Sequence, residues 1–200
     1  MAILLHTASV GASFFAGVGV ERTASLWEDA SKPVGRRTLW AGMVAAMFWL
    51  FLLRHSRSPA DLAPLLIATA ALGICTLVDL ASRRIPNQVT LTAVPAILIS
   101  AALVQPESVA ERLVYALLLF SFFLAAALLR AGALGMGDVK LVAVVGAGLG
   151  PPAIAAVLIG LCLAAVTTLG PVRGRGIGTA TVPLAPFLTA GSAVIVVVGG

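Results

Sequence analysis

Long uninterrupted apolar stretches decide what this chain can become. "VAERLVYALLLFSFFLAAALL" (residues 109–129) and "PAIAAVLIGLCLAAVTTL" (residues 152–169) are two of them. A helix of about 20 mostly apolar residues crosses the hydrocarbon of a bilayer. Inside hydrocarbon every main-chain polar group needs a partner within the protein, which leaves helices or closed barrels. These runs are continuous rather than alternating every second residue, so a barrel is excluded. Glycine, proline and charge clusters cut the chain into about eight apolar stretches. They cover residues 3–20, 39–53, 63–80, 88–104, 109–129, 138–150, 152–169 and 182–198. The expected fold is all-α, a polytopic transmembrane helical bundle of about eight spans with no soluble domain. The second and sixth stretches are short, suiting tilted or protein-buried helices.

Composition agrees. The chain of 200 residues is 60% hydrophobic and 10% charged, with a mean hydropathy of +1.08. A soluble domain of this length needs far more polar surface. The net charge of +5 could suggest nucleic acid. In a membrane protein it places basic residues in cytoplasmic loops instead. Arg22, Lys32, Arg36 and Arg37, then Arg83 and Arg84, then Arg130 and Lys140, then Arg173 and Arg175 fall on one side of the proposed bundle. Only Arg54, Arg57 and Arg112 fall on the other. The first side is therefore assigned to the cytoplasm and both termini to the outside.

Several residues suggest no chemistry. Cys75 and Cys162 lie inside apolar runs and read as small buried hydrophobes. No CxxC pair is present, so neither a metal site nor a cofactor is expected. Trp27, Trp40 and Trp49 read as interfacial anchors. The glycines of "PVRGRGIGT" have no strand before them and read as a loop rather than a nucleotide site. Gly146, Gly148 and Gly150 read as sites of close helix packing.

Two acids stand out in this apolar chain. Asp79 ends the stretch at 63–80, and Asp138 begins the stretch at 138–150. Two whole spans lie between them, so the chain leaves the cytoplasmic side and returns to it. Both acids are thus expected at the same depth and can meet. Two close carboxylates do not ionise together easily, so one retains a proton while the other stays anionic. The anion can take a proton from a shared water, and the protonated partner can polarise a peptide carbonyl. Such a pair titrates jointly, so neither acid is assigned one role. Gly135, Met136 and Gly137 precede Asp138 and permit close approach of another segment. Asp138 is expected near a helix N-terminus, whose dipole favours an anion. Pro86 is expected to interrupt the helix after Asp79, and Asn87 to cap the next one. Lys140 either tunes the local field or anchors at the headgroups. A plainer reading also stands: interfacial acids cap helices or balance arginines, and Arg83 and Arg84 lie one turn from Asp79.

Three segments carry a family resemblance. "DLASRRIPNQVT" (Asp79–Thr90), "GALGMGDVKLVA" (Gly132–Ala143) and "TVPLAPFLTAG" (Thr181–Gly191) resemble, in order and spacing, the motifs of the type IV prepilin peptidases. These are the GxGD class of intramembrane aspartic peptidases. The resemblance covers about residues 65 to 191. It implies that Asp79 and Asp138 are the catalytic pair and that Gly135 and Gly137 belong to the active loop. Pro86, Asn87 and Lys140 match supporting positions. It implies an aspartic endopeptidase that cuts the basic leader from pilin-like precursors at the cytoplasmic face of the inner membrane, usually after a glycine. The partners implied are those precursors and the lipid bilayer, with no nucleic acid. Residues 1–64 then form N-terminal spans with a short cytoplasmic loop, and residues 65–200 the peptidase core.

The chain departs from the fuller family pattern in two places. The loop "ERTASLWEDASKPVGRRT" lacks the cysteine-bearing domain of members that also methylate the new N-terminus, which puts methyl transfer in doubt without excluding it. Leu184 and Ala185 stand where phenylalanine and glycine are usual. The outline resembles the compact peptidase-only branch that serves tight-adherence pili. Two other functions are compatible with the same acids or bundle. One is a small transporter or proton-relay protein using Asp79 and Asp138. The other is a non-enzymatic subunit of a pilus or secretion assembly.

Overall fold

The computed structural model describes residues 59–129, 134–169 and 183–199. These form helices α1 (Pro59–Ser82), α2 (Asn87–Val104), α3 (Val109–Leu129), α4 (Met136–Leu149), α5 (Ala153–Leu169) and α6 (Ala185–Gly199). A 3-10 turn, Pro106–Ser108, joins α2 to α3. No strand occurs among the described residues. The stretches expected at 3–20 and 39–53, the three tryptophans and the glycine loop at 174–178 lie outside them. So do most of the basic residues used to orient the bundle.

Three segments are long and apolar enough to cross a membrane: Leu62–Leu80, Asn87–Val104 and Pro106–Leu129. The other three helices are shorter, at 14, 17 and 15 residues. At about 1.5 Å rise per residue, α4 is only about 21 Å long. The hydrocarbon core is about 30 Å thick. Among the described residues, the expected series of full spans therefore reduces to three helices of crossing length and three shorter ones.

The short α4 sits in the middle and touches every other helix. Val139 and all of Leu141 through Gly148 are buried. Lipid tails are as apolar as leucine, so burial alone does not draw membrane helices together. Close van der Waals packing through small residues does. Gly146 lies on the backbone of Tyr115 and Ala116 in α3, and Gly148 lies on Ala68 of α1. Both act as expected. Gly150 does something else: it ends α4 at φ 66°, a turn conformation that suits glycine.

The outward faces of α2 and α3 carry large apolar side chains. On α2, Thr90, Ala93, Ile97 and Ala101 are buried at helical spacing. Leu91, Ile99 and Leu103 of the same helix point away from the bundle, as do Phe122, Leu128 and Leu129 of α3. That outer surface suits acyl chains. Cys75 is buried as expected, but Cys162 is exposed on α5.

One buried charge was not anticipated. Arg112, assigned above only to the side opposite the cytoplasm, is buried near the start of α3. Its guanidinium donates to the carbonyls of Ala147 and Gly148 at the end of α4, and to Ser108 Oγ. The last carbonyls of a helix lack partners within it and carry partial negative charge, so a cation there is favourable.

Candidate functional site

The site lies where α1 ends and α4 and α6 begin. Asp79 stands in the last turn of α1 and is 5% exposed. The helix stops at Ser82, and Arg83 takes φ 53°, a conformation uncommon for residues other than glycine. The break thus precedes Pro86, which was expected to cause it. Pro86 is buried, extended, and occupies the N-cap position of α2. Asn87 makes no cap hydrogen bond. Its Oδ1 instead accepts a hydrogen bond from Lys140 Nζ at 2.8 Å. Lys140 therefore bridges to the other motif.

Asp138 is in the first turn of α4, as its sequence position suggests. Gly135 precedes that helix as its extended N-cap, and a Cβ there would stand 3.1 Å from Asp138 Oδ2. A Cβ on Gly137 would stand 2.7 Å from Ile85 Cβ. No other residue lets the loop after α1 lie against the start of α4 at that distance. Ile85 and Gly137 in contact, and Asn87 hydrogen-bonded to Lys140, hold the two acid-bearing segments side by side.

The electrostatics agree with that closeness. Asp138 lies at the rim, outside the three crossing segments. Partial burial and the nearby Asp79 carboxyl push the Asp138 carboxyl up to about 6, while a hydrogen bond from the Gly135 main chain pulls it down. No cluster of three or more His, Cys, Asp or Glu side chains able to hold a metal occurs among the described residues.

Residues 66–169 match the type IV leader peptidase family. The chain belongs to that family. The match spans both acid-bearing segments and the helices α2 and α3 that return the chain between them. No curated protein and no solved structure matches the chain.

Within this leader peptidase, a third segment reaches Asp79. Ala185, the first residue of α6, donates its main-chain N–H to Asp79 Oδ2 at 3.1 Å. The sequence marks the segment Thr181–Gly191 as part of the resemblance, and Ala185 only as a departure from the family pattern with no role of its own. A signal was present. Pro183 and Pro186 bracket Ala185, and proline near a helix start marks an N-terminus with free N–H groups. Of the residues singled out from sequence, Asp79 lies in the last turn of α1, Pro86 and Asn87 where α2 begins, and Gly135, Gly137, Asp138 and Lys140 at the start of α4.

Proposed function

We propose that this peptidase is an intramembrane aspartic endopeptidase, with Asp79 and Asp138 as the catalytic pair. Its substrates are type IV pilin-like precursors, cut at the cytoplasmic face of the inner membrane. What supports this is that the two acid-bearing segments, two spans apart in sequence, lie side by side through the Gly137–Ile85 contact and the Lys140–Asn87 hydrogen bond, in a chain of the type IV leader peptidase family.

The chemistry follows from the pair. One carboxylate takes a proton from a water held between the acids, and the resulting hydroxide adds to the scissile carbonyl carbon. The protonated partner donates a hydrogen bond, then its proton, to the carbonyl oxygen. The tetrahedral diol collapses as its C–N bond breaks. A proton passes to the leaving amine, and the pair returns to one shared proton. No covalent enzyme intermediate forms. Gly135, without a side chain beside the Asp138 carboxylate, leaves room there for an extended substrate backbone, while Gly137 lets the loop at Ile85 pack against the start of α4. The apolar helix of the precursor lies in lipid beside the bundle. Its basic leader stays at the anionic inner surface, where each Lys or Arg gains about 1 kcal/mol.

The test is cleavage of a purified type IV pilin precursor by the purified protein in lipid vesicles. Asp79→Asn and Asp138→Asn each abolish the cleaved product while the protein still inserts and folds. Normal cleavage by both variants refutes the peptidase assignment. Proton or solute flux without a cleaved product identifies a transporter instead.

A further inference from the structure

Asp79 is held by a chain of hydrogen bonds that begins and ends on α1. Ala185 N–H donates to the Asp79 carboxylate at 3.1 Å. The carbonyl of the same residue accepts from Thr189 Oγ1 at 2.9 Å. With its proton committed there, the Thr189 oxygen is left to accept from Thr76 Oγ1, 2.8 Å away. Thr76 sits one turn before Asp79 on α1, and Thr189 one turn after Ala185 on α6. The two helices run antiparallel at this point, so the threonine pair and the Asp79–Ala185 contact form two successive rungs.

The surroundings leave this segment little freedom. Ala185 and Leu188 are fully buried. Gly191 lies on the Ala156 carbonyl and Gly160 on the Phe187 carbonyl, which seats α6 against α5 without spare volume. Pro186 has no N–H, and Phe187 N–H is bonded to the Leu184 carbonyl at 3.1 Å. In the first three positions of α6, the Ala185 N–H is thus the donor directed at Asp79.

We propose that Thr76 and Thr189 are positioning residues, which act through the Ala185 main chain to fix where the Asp79 carboxylate points. Rotation or sliding of α6 by a fraction of a turn breaks both rungs together. A carboxylate bonded on Oδ2 is fixed in orientation, which leaves Oδ1 for the proposed shared water. The threonine pair holds that direction during turnover, and it binds no substrate. The role rests on the peptidase reading above and deepens it.

The experiment uses the full chain in phosphatidylethanolamine–phosphatidylglycerol vesicles, with a purified type IV pilin precursor as probe. Thr76→Val and Thr189→Val keep side-chain shape and remove the hydroxyls. Each is expected to lower kcat per folded molecule about tenfold with KM unchanged, since misplacing a catalytic group by a fraction of an ångström costs this much. The double variant falls no further than either single one, because one chain is broken in all three. Thr76→Ser and Thr189→Ser keep near-normal kcat. Replacing Ala185 with lactic acid turns the amide it forms with Leu184 into an ester, deletes the N–H while keeping the side chain, and lowers kcat at least as far. A purely structural pair lowers yield or thermal stability and leaves kcat per folded molecule within twofold in the valine and ester variants, which overturns the proposal. Losses that add in the double valine variant also overturn it. Asp79→Asn and Asp138→Asn run alongside: if they too cut normally, the peptidase reading itself has failed rather than the positioning role alone.

Discussion

Lys140 Nζ lies 2.8 Å from Asn87 Oδ1, joining two segments 53 residues apart in sequence. This side-chain bond ties the connection after α1 to the first turns of α4, one on each side of the acid pair. A charged donor on a neutral acceptor contributes about 1.5–3 kcal/mol when shielded and less at a rim exposed to water. Lys140→Met and Asn87→Ala are each expected to lower kcat about fivefold, or about 1 kcal/mol, below that range because the bond is exposed to water. The double variant is no worse than either single one, measured as precursor cleavage in vesicles. Asn87→Asp keeps activity, because its carboxylate still accepts from the ammonium.

Gly135 and Gly137 are expected to separate under alanine substitution. The added methyl at 135 meets only the end of the Asp138 side chain. That carboxylate can move aside, so Gly135→Ala folds normally and loses activity. At 137 the methyl meets the Cβ of Ile85, which is fixed to the backbone. Gly137→Ala therefore pushes the two acid-bearing segments apart and lowers both activity and thermal stability. Cleavage rate and melting temperature measured on the same preparations check the contrast.

Asp138 should report the charge state of its neighbour. Its carboxyl is raised to about 6 by burial first and by Asp79 second. Neutralising a nearby negative charge makes the Asp138 anion easier to form, so Asp79→Asn moves its pKa downward from about 6. Burial remains, so the value stays above the usual carboxylate range. Carbon-13 NMR titration of aspartate-labelled protein in micelles measures the shift. An unchanged or increased value contradicts the placement of the two acids.

Arg112 is expected to matter for stability at the end of α4 away from the acids. Removing its guanidinium leaves the Ala147 and Gly148 carbonyls without those donors in a buried place. Each buried unsatisfied group costs about 1–3 kcal/mol. Arg112→Met should lower the melting temperature in detergent markedly. Arg112→Lys, which can still reach one carbonyl, should fall between the two.

The local pattern settled a good deal of this protein. Continuous apolar runs leave a bilayer-embedded chain no secondary structure but helix, so α1 through α6 were legible to within a few residues. Counting two spans between Asp79 and Asp138 returns the chain to one side, and that topological parity needs no coordinates. Other features depend on contacts between residues distant in sequence, which no local pattern encodes. Only the tertiary structure decided that Asn87 accepts from Lys140 rather than capping α2, and that Arg112 closes α4. It also decided that the main chain of Ala185, whose side chain has no chemistry of its own, holds Asp79. A main-chain N–H is the same at every non-proline residue, so its importance comes solely from what folding sets opposite it.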